Sequence, residues 1–276
     1  MTSTITESLI EMHFHRALVD FFTRTYGVRF LKLIKPSSRG EKWIGFDQGW
    51  VHSEIEDDKL INEIKNAISH QQNKIKKFYL GYFLQFKRVH ALFRKSKHKP
   101  DNYNLPYFRS ELSLKADPYT GLSQHETLLL LSNVKNASVH YACAMLFDID
   151  DIYDTVDLRK LRMVPLKSAP TGWSTNSRHF ITFQLPDDQN PIWHSKPSPG
   201  KSYSFEDWAS EKNENRPLLL DSKGVLILLE DIKRVMNQNI KKIDYSNKFL
   251  DFIKDMQVNE GHTIPNSFTL IEFESD

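Results

Sequence analysis

Two short patterns in the sequence bring together residue types that suit phosphodiester hydrolysis. The first has Glu41 and, six residues later, Asp47, which closes a Gly-x-Asp triplet. In the second, one phenylalanine separates Gln85 from Lys87. Carboxylate and amide oxygens are ligands that Mg²⁺ or Mn²⁺ prefers, and an ammonium near them can orient a water and stabilise charge that develops on a phosphate. These four residues therefore predict a metal-dependent hydrolytic site.

The Gln-x-Lys pair lies near the end of segment 78–89, whose aromatic and branched residues predict a central strand. Since residues i and i+2 of a strand project to the same face, Gln85 and Lys87 are expected to point together into the site. Lys87 would orient the nucleophilic water there. Simpler explanations stay open for three residues: Asp47 as a turn former, Lys87 as one cation of a basic surface, and Glu41 as the first residue of a turn.

The flanking sequence predicts the elements that must position this site. Thr6 is a predicted N-cap for a first helix, which ends at Gly27. The apolar stripe of this helix consists of Ile10, Phe14, Ala17 and Phe21. Ser123, with Glu126 three residues later, is a capping-box signature for another helix. Further helices are predicted over 60–70, 149–161, 225–236 and 245–256, strands over 28–35, 43–51, 138–147 and 178–185, and a long loop over 95–118.

Composition and cysteine content exclude several classes. With 39% hydrophobic and 26% charged residues, the chain has the composition of a globular protein. Cys143 is the only cysteine, which excludes an internal disulfide and a multi-cysteine zinc site. Its apolar surroundings predict a buried thiol. No basic stretch followed by an apolar one begins the chain, and no apolar run approaches the ~20 residues of a membrane span. A cytoplasmic protein is therefore expected.

A basic segment surrounds the Gln-x-Lys pair. Residues 65–100 contain ten Lys or Arg residues and no Asp or Glu, although the net charge of the chain is only +2. Such a segment indicates an anionic partner, with a solvated basic surface as the alternative. Lys and Arg supply most sequence-independent affinity for nucleic acid. The predicted phosphate contacts are Arg88, Arg94, Lys95, Lys97 and Lys99.

An acid, then Gly-x-Asp, then Gln-x-Lys on the next strand resembles the PD-(D/E)xK, or restriction-endonuclease-like, nuclease superfamily, in the variant where the second acid is Gln. The predicted order of elements is similar over roughly residues 6–147. By this resemblance, Asp47 and Glu41, or Glu11 in place of Glu41, are expected to hold Mg²⁺ or Mn²⁺, and Gln85 completes the site. The resemblance also implies that Glu7 or Glu11 on the first helix faces the metal. In one departure, 37 residues separate Asp47 from Gln85, longer than the hairpin of many members.

These observations predict one fold and two alternative functions. The expected fold is α/β, with a mixed central sheet flanked by helices over 1–200 and a mostly helical C-terminal extension over 201–276. The expected function is a metal-dependent endonuclease whose substrate is DNA, with RNA as the alternative, and the resemblance implies a restriction, repair or phage-defence setting. The rival is a non-catalytic scaffold of the same fold that binds nucleic acid or protein. A homo-oligomer or a protein partner at the C-terminal helices stays open.

Overall fold

The computed structural model describes residues 5–26, 31–34, 48–52, 83–96, 99–116, 121–135, 137–173, 178–194 and 196–210, together with 231, 234 and 235. The chain divides into two compact units. The first unit contains the described residues within 5–21, 85–115 and 140–210. The second unit contains the other described residues, which include 31–34, 48–52, 83–84 and 121–135.

The described elements are three helices and ten strands. The helices are α1 (Glu7–Tyr26), α2 (Gln124–Ser132) and α3 (Phe205–Ala209). The strands are β1 (Leu31–Ile34), β2 (Gln48–His52), β3 (Phe83–Leu92), β4 (Tyr107–Leu112), β5 (Val139–Ala144), β6 (Leu161–Pro165), β7 (His179–Phe183), β8 (Ile192–His194), β9 (Ser198–Pro199) and β10 (Tyr203–Ser204). The strands predicted over 28–35, 43–51, 78–89, 138–147 and 178–185 correspond to β1, β2, β3, β5 and β7.

In the first unit, strand pairing follows the order β10-β6-β5-β3-β4-β7-β8-β9. The neighbours β3 and β4, β4 and β7, and β5 and β6 are antiparallel. The starts of β3 and β5 belong to the second unit, where the backbone N–H of Phe83 donates to the carbonyl oxygen of Ser138 over 2.8 Å. Because both strands continue from this hydrogen bond, β3 and β5 are parallel and the sheet is mixed. An α/β fold with a mixed sheet is therefore confirmed.

In the second unit, β1 and β2 form an antiparallel pair, and β2 pairs with the start of β3 through Gln48–Leu84 and Gly49–Phe83. Helix α2 begins with the predicted capping box. The Ser123 hydroxyl accepts from the Glu126 N–H over 3.2 Å, and the Glu126 carboxylate accepts from the Ser123 N–H over 2.7 Å. Two otherwise unsatisfied N–H groups gain partners in this way, which fixes the first turn of the helix.

Helix α1 is confirmed together with its N-cap, because the Thr6 hydroxyl accepts from the Leu9 N–H over 3.2 Å. Ile10, Phe14 and Leu18 are completely buried along one side of the helix. Each contributes about 1.5–3 kcal/mol by leaving water. The buried stripe therefore uses Leu18, whereas the sequence predicted Ala17. Its burial fixes the rotation of α1 about its own axis.

Two predictions about connecting segments are wrong. The segment 95–118 contains β4, which pairs on both sides and is not a long loop. The segment 149–161 is not one helix, since short 3₁₀ turns at Ile149–Ile152 and Leu158–Lys160 flank a loop. The carboxylates of Asp148 and Asp157 accept from the N–H two residues later, which closes local turns in place of a helix.

The predicted boundary at residue 200 does not end the sheet. Strand β10 pairs with β6, and α3 follows it directly in the first unit. Of the residues beyond 210, the structure describes only 231, 234 and 235, which are helical. The rest of the predicted helices over 225–236 and 245–256 lies outside the described residues, as does the predicted helix over 60–70.

Arg162 joins β6 to the loops that precede β10. Its side chain is 4% exposed, and its Nη2 donates to the hydroxyl and carbonyl oxygens of Ser202 over 3.0 and 3.2 Å and to the Asp188 carbonyl over 3.3 Å. The Ser202 hydroxyl also donates to that Asp188 carbonyl. A buried guanidinium with several acceptors of this kind is a structural element of the sheet edge.

We expect Arg162→Ala to lower the free energy of unfolding by about 2–4 kcal/mol, since it removes the guanidinium that donates to the carbonyl and hydroxyl oxygens of the buried Ser202. Urea denaturation of the full chain measures the loss. Arg159→Ala is the matched control because Arg159 is exposed and its ion pair with Asp157 lies at the surface, so little change is expected. Equal losses in the two variants would contradict the role given to Arg162.

Candidate active site

Gln85 and Lys87 both lie on β3 and are buried, with 1% and 5% of their surfaces exposed. Being two residues apart on a strand, they project to the same face. A lysine ammonium taken out of water is costly unless a counter-charge accompanies it. The simpler explanation of Lys87, that it is one more cation of a basic surface, is therefore wrong, because the residue is buried.

The counter-charge comes from the first turn of α1. The Lys87 Nζ lies 3.1 Å from Glu7 Oε1 and 3.2 Å from Oε2, so it donates to the carboxylate as a whole. The Lys87 side chain is 6% exposed, whereas that of Glu7 is 45% exposed. The ammonium is thus fixed inside the protein, and the carboxylate that holds it stands at the edge of solvent.

Glu11 lies one helical turn after Glu7 and is 7% exposed. Residues i and i+4 of a helix share a face, so both carboxylates lie on the side of α1 that carries Ile10 and Phe14. The resemblance left Glu7 and Glu11 as alternatives. The structure assigns the contact with Lys87 to Glu7, while Glu11 is the more deeply buried carboxylate.

Strand β5 contributes two groups that the sequence did not connect with chemistry. Burial raises the pKa of the Cys143 thiol to about 12, although the nearby Lys87 charge acts in the opposite direction. Burial, followed by the charges of Cys143 and Glu7, raises the pKa of Tyr141 well above its usual value. The thiol and the phenol therefore stay protonated at neutral pH. Tyr141 and Cys143 are recognised as neighbours of Lys87 only from the strand pairing that places β5 beside β3.

The remaining predicted ligands, Asp47 and Glu41, lie outside the described residues. Asp47 directly precedes β2, the strand that pairs with the beginning of β3. Within the described part of the chain, no three or more His, Cys, Asp and Glu side chains form a group that could hold a metal ion. Among the predicted ligands, Glu11 on α1 and Gln85 on β3 are described, and both are buried.

The predicted phosphate contacts have different surroundings. Arg88 neighbours Lys87 on β3 and consequently faces the other side of the sheet. Arg94 and Lys95 are exposed after β3 ends. The Lys99 ammonium donates to the Pro100 carbonyl over 2.8 Å and to the Tyr103 carbonyl, so it stabilises its own turn. Lys97 lies outside the described residues.

No family model, curated protein or solved structure matches the chain. The function is therefore inferred from the residues and their geometry. Among the described helices, none combines the length and the apolar character that crossing a bilayer requires.

The state of Cys143 gives a direct test of this packing. Because its pKa is raised to about 12 by burial, we expect the native protein to react negligibly with a thiol reagent such as Ellman's at pH 8. In guanidinium chloride one thiol per chain should react, since Cys143 is the only cysteine. Complete reaction of the native protein within minutes would contradict the burial of β5.

The same shift predicts a pH dependence of stability. A thiol whose pKa is raised in the folded state stabilises that state fully below the pKa of the unfolded chain. This contribution is lost as pH rises from about 9 towards about 12. In urea titrations across this range, Cys143→Ala should lose less stability than the wild type. Parallel losses in both proteins would contradict the assignment.

Proposed function

We propose that the protein is a metal-dependent nuclease that hydrolyses phosphodiester bonds in DNA, with RNA as the alternative substrate. One observation carries the proposal: a buried lysine, two residues after a buried glutamine on a central strand, is held by a carboxylate from the first helix. An ion pair of this kind costs desolvation, and a hydrophobic pair of similar volume would stabilise the fold as well. A role in chemistry explains why such a pair occupies this place.

The order of elements supports a restriction-endonuclease-like core. An acidic helix, α1, is followed by β1, by β2 directly after Asp47, and by β3 with Gln85 and Lys87. Helix α2 and the parallel strand β5 follow, which is the order that the superfamily resemblance implies. The pairing of β4 with β3 is an addition to that order, as is the long segment between β2 and β3.

The predicted ligands are of the type that a hard divalent cation prefers. Glu11 and Gln85 carry carboxylate and amide oxygens in the described core, and Asp47 and Glu41 would add carboxylates. Mg²⁺ or Mn²⁺, when bound, would polarise the phosphate and favour deprotonation of a water. Glu7, whose carboxylate holds Lys87, would set the position of the ammonium.

Lys87 would act on the charge that develops as the phosphate is attacked. Its ammonium is fixed before the substrate arrives and lies in a site with little water, where electrostatic interactions are stronger. An interaction that is stronger in the transition state than in the ground state affects the rate more than the affinity.

We expect Lys87→Met to lower the rate of metal-dependent cleavage by about 100-fold or more, because it removes the charge but preserves most of the volume. Asp47→Ala should do the same and shift the metal dependence. Affinity for nucleic acid should stay within a few-fold in both variants. Nicking of supercoiled plasmid with Mg²⁺ or Mn²⁺ measures the rate, and fluorescence anisotropy with EDTA measures the affinity.

Arg159→Ala is the control, since this exposed arginine pairs with Asp157 in a short 3₁₀ turn and belongs to neither α1 nor β3. Full activity of both site variants would show that the site is misassigned. If the wild type cleaves neither DNA nor RNA with any divalent metal, the non-catalytic scaffold is the correct alternative.

A further inference from the structure

The face of β3 opposite Lys87 carries a second set of charged residues. Arg88 and His90 alternate with the buried Lys87 and Val89, so they project from the other side of the sheet. In the antiparallel pairing of β3 with β4, His90 lies directly opposite Arg109. Directly opposite residues share a face. Arg88, His90 and Arg109 thus form one cluster, here called the outer basic patch.

Arg109 is held in place by an aromatic ring. Its Cζ lies 4.3 Å from the centroid of the completely buried Phe180 ring on β7. Stacking uses the flat face of the guanidinium, which leaves the N–H groups at its edge available for acceptors. A guanidinium fixed in this way loses less conformational entropy when it binds an anion, and its planar fork suits the oxygens of a phosphate.

The patch is open to solvent and its charges act on one another. His90 is exposed, and Arg88 and Arg109 are partly exposed. The pKa of His90 is lowered by partial burial, then by Arg88 and Arg109, while Glu111 of β4 acts in the opposite direction. Glu111 is also near Arg178, at 4.0 Å. Positive potential therefore dominates at the imidazole.

We propose that the outer basic patch binds backbone phosphates of nucleic acid, on the face of the sheet opposite the Lys87 site. A linear polyanion is favoured over a compact acidic group because the cations continue along the chain. Arg88 and His90 are about 7 Å apart on β3, and the exposed Arg94 and Lys95 follow where β3 ends. The patch does not depend on whether the Lys87 site cleaves.

The first test measures binding without metal. Wild type and Arg88→Gln/Arg109→Gln are titrated against a fluorescent random-sequence DNA duplex in EDTA between 50 and 200 mM salt. Each lost phosphate contact reduces the slope of log K against log salt by about 0.9, so the double variant should lose about 2 from the slope. Arg159→Gln, which removes an exposed arginine elsewhere in the same unit, should keep the wild-type slope.

An unchanged slope in Arg88→Gln/Arg109→Gln would overturn the proposal and would leave the patch to an acidic protein or to solvent. An equal reduction in Arg159→Gln would also overturn it, because the effect would then reflect net charge alone. Both results are independent of cleavage, so the proposed nuclease activity can fail while this proposal stands.

A second test needs no variant. A bound phosphate stabilises the imidazolium form of His90 and so raises its lowered pKa, which means that binding takes up a proton and tightens as pH falls. NMR titration of the histidine signals with and without the DNA duplex measures this shift, and the loss of one titrating signal in His90→Gln assigns it. A pKa of His90 that the duplex leaves unchanged would overturn the proposal.

Discussion

The buried ammonium of Lys87 is the constraint on which the rest of the first unit depends. A charge at 5% exposure is stable only with a partner at hydrogen-bond distance, and Glu7 supplies it from another element. The carboxylate can reach Lys87 only if α1 lies against the sheet in one rotation. Ile10 and Phe14 fix that rotation by their complete burial. The hydrophobic packing of α1 thus positions the Glu7–Lys87 ion pair, although the packing itself would be complete without an ion pair there.

Alternation along β3 gives one strand two faces with different charged residues. Gln85 and Lys87 face the side of the sheet that α1 supplies with acids, whereas Arg88 and His90 face the side where Arg109 lies over Phe180. The buried Lys87 charge beside the Glu7 carboxylate is suited to stabilising charge in a chemical step. The solvent-accessible charges of the outer basic patch are suited to contacts with phosphate oxygens. The part of the acid-free segment 65–100 that forms β3 therefore places positive charges on both faces of the sheet and not on one face alone.

The sequence predicted the features that depend on interactions between residues close together in the chain. The Thr6 cap, the Ser123 capping box and the strand around Gln85 and Lys87 each follow from a few neighbouring residues. Strand β4 was missed because Pro100 and Pro106 precede it, and its pairing depends on β3 and β7, which are distant in sequence. The same distance concealed the Glu7–Lys87 contact, which spans 80 positions, and the place of Arg109 beside His90. The placement of Asp47 and Glu41 remains a prediction.

A double-mutant cycle on Glu7 and Lys87 tests the central claim most directly. Unfolding free energies are measured in urea for the wild type, Glu7→Ala, Lys87→Met and the double variant. The ion pair predicts that Glu7→Ala destabilises the protein by leaving a buried ammonium without its carboxylate, and that Lys87→Met in the same chain restores most of the loss. The expected coupling is about 1–2 kcal/mol, since Glu7 is partly solvated. A coupling below about 0.3 kcal/mol would contradict the account.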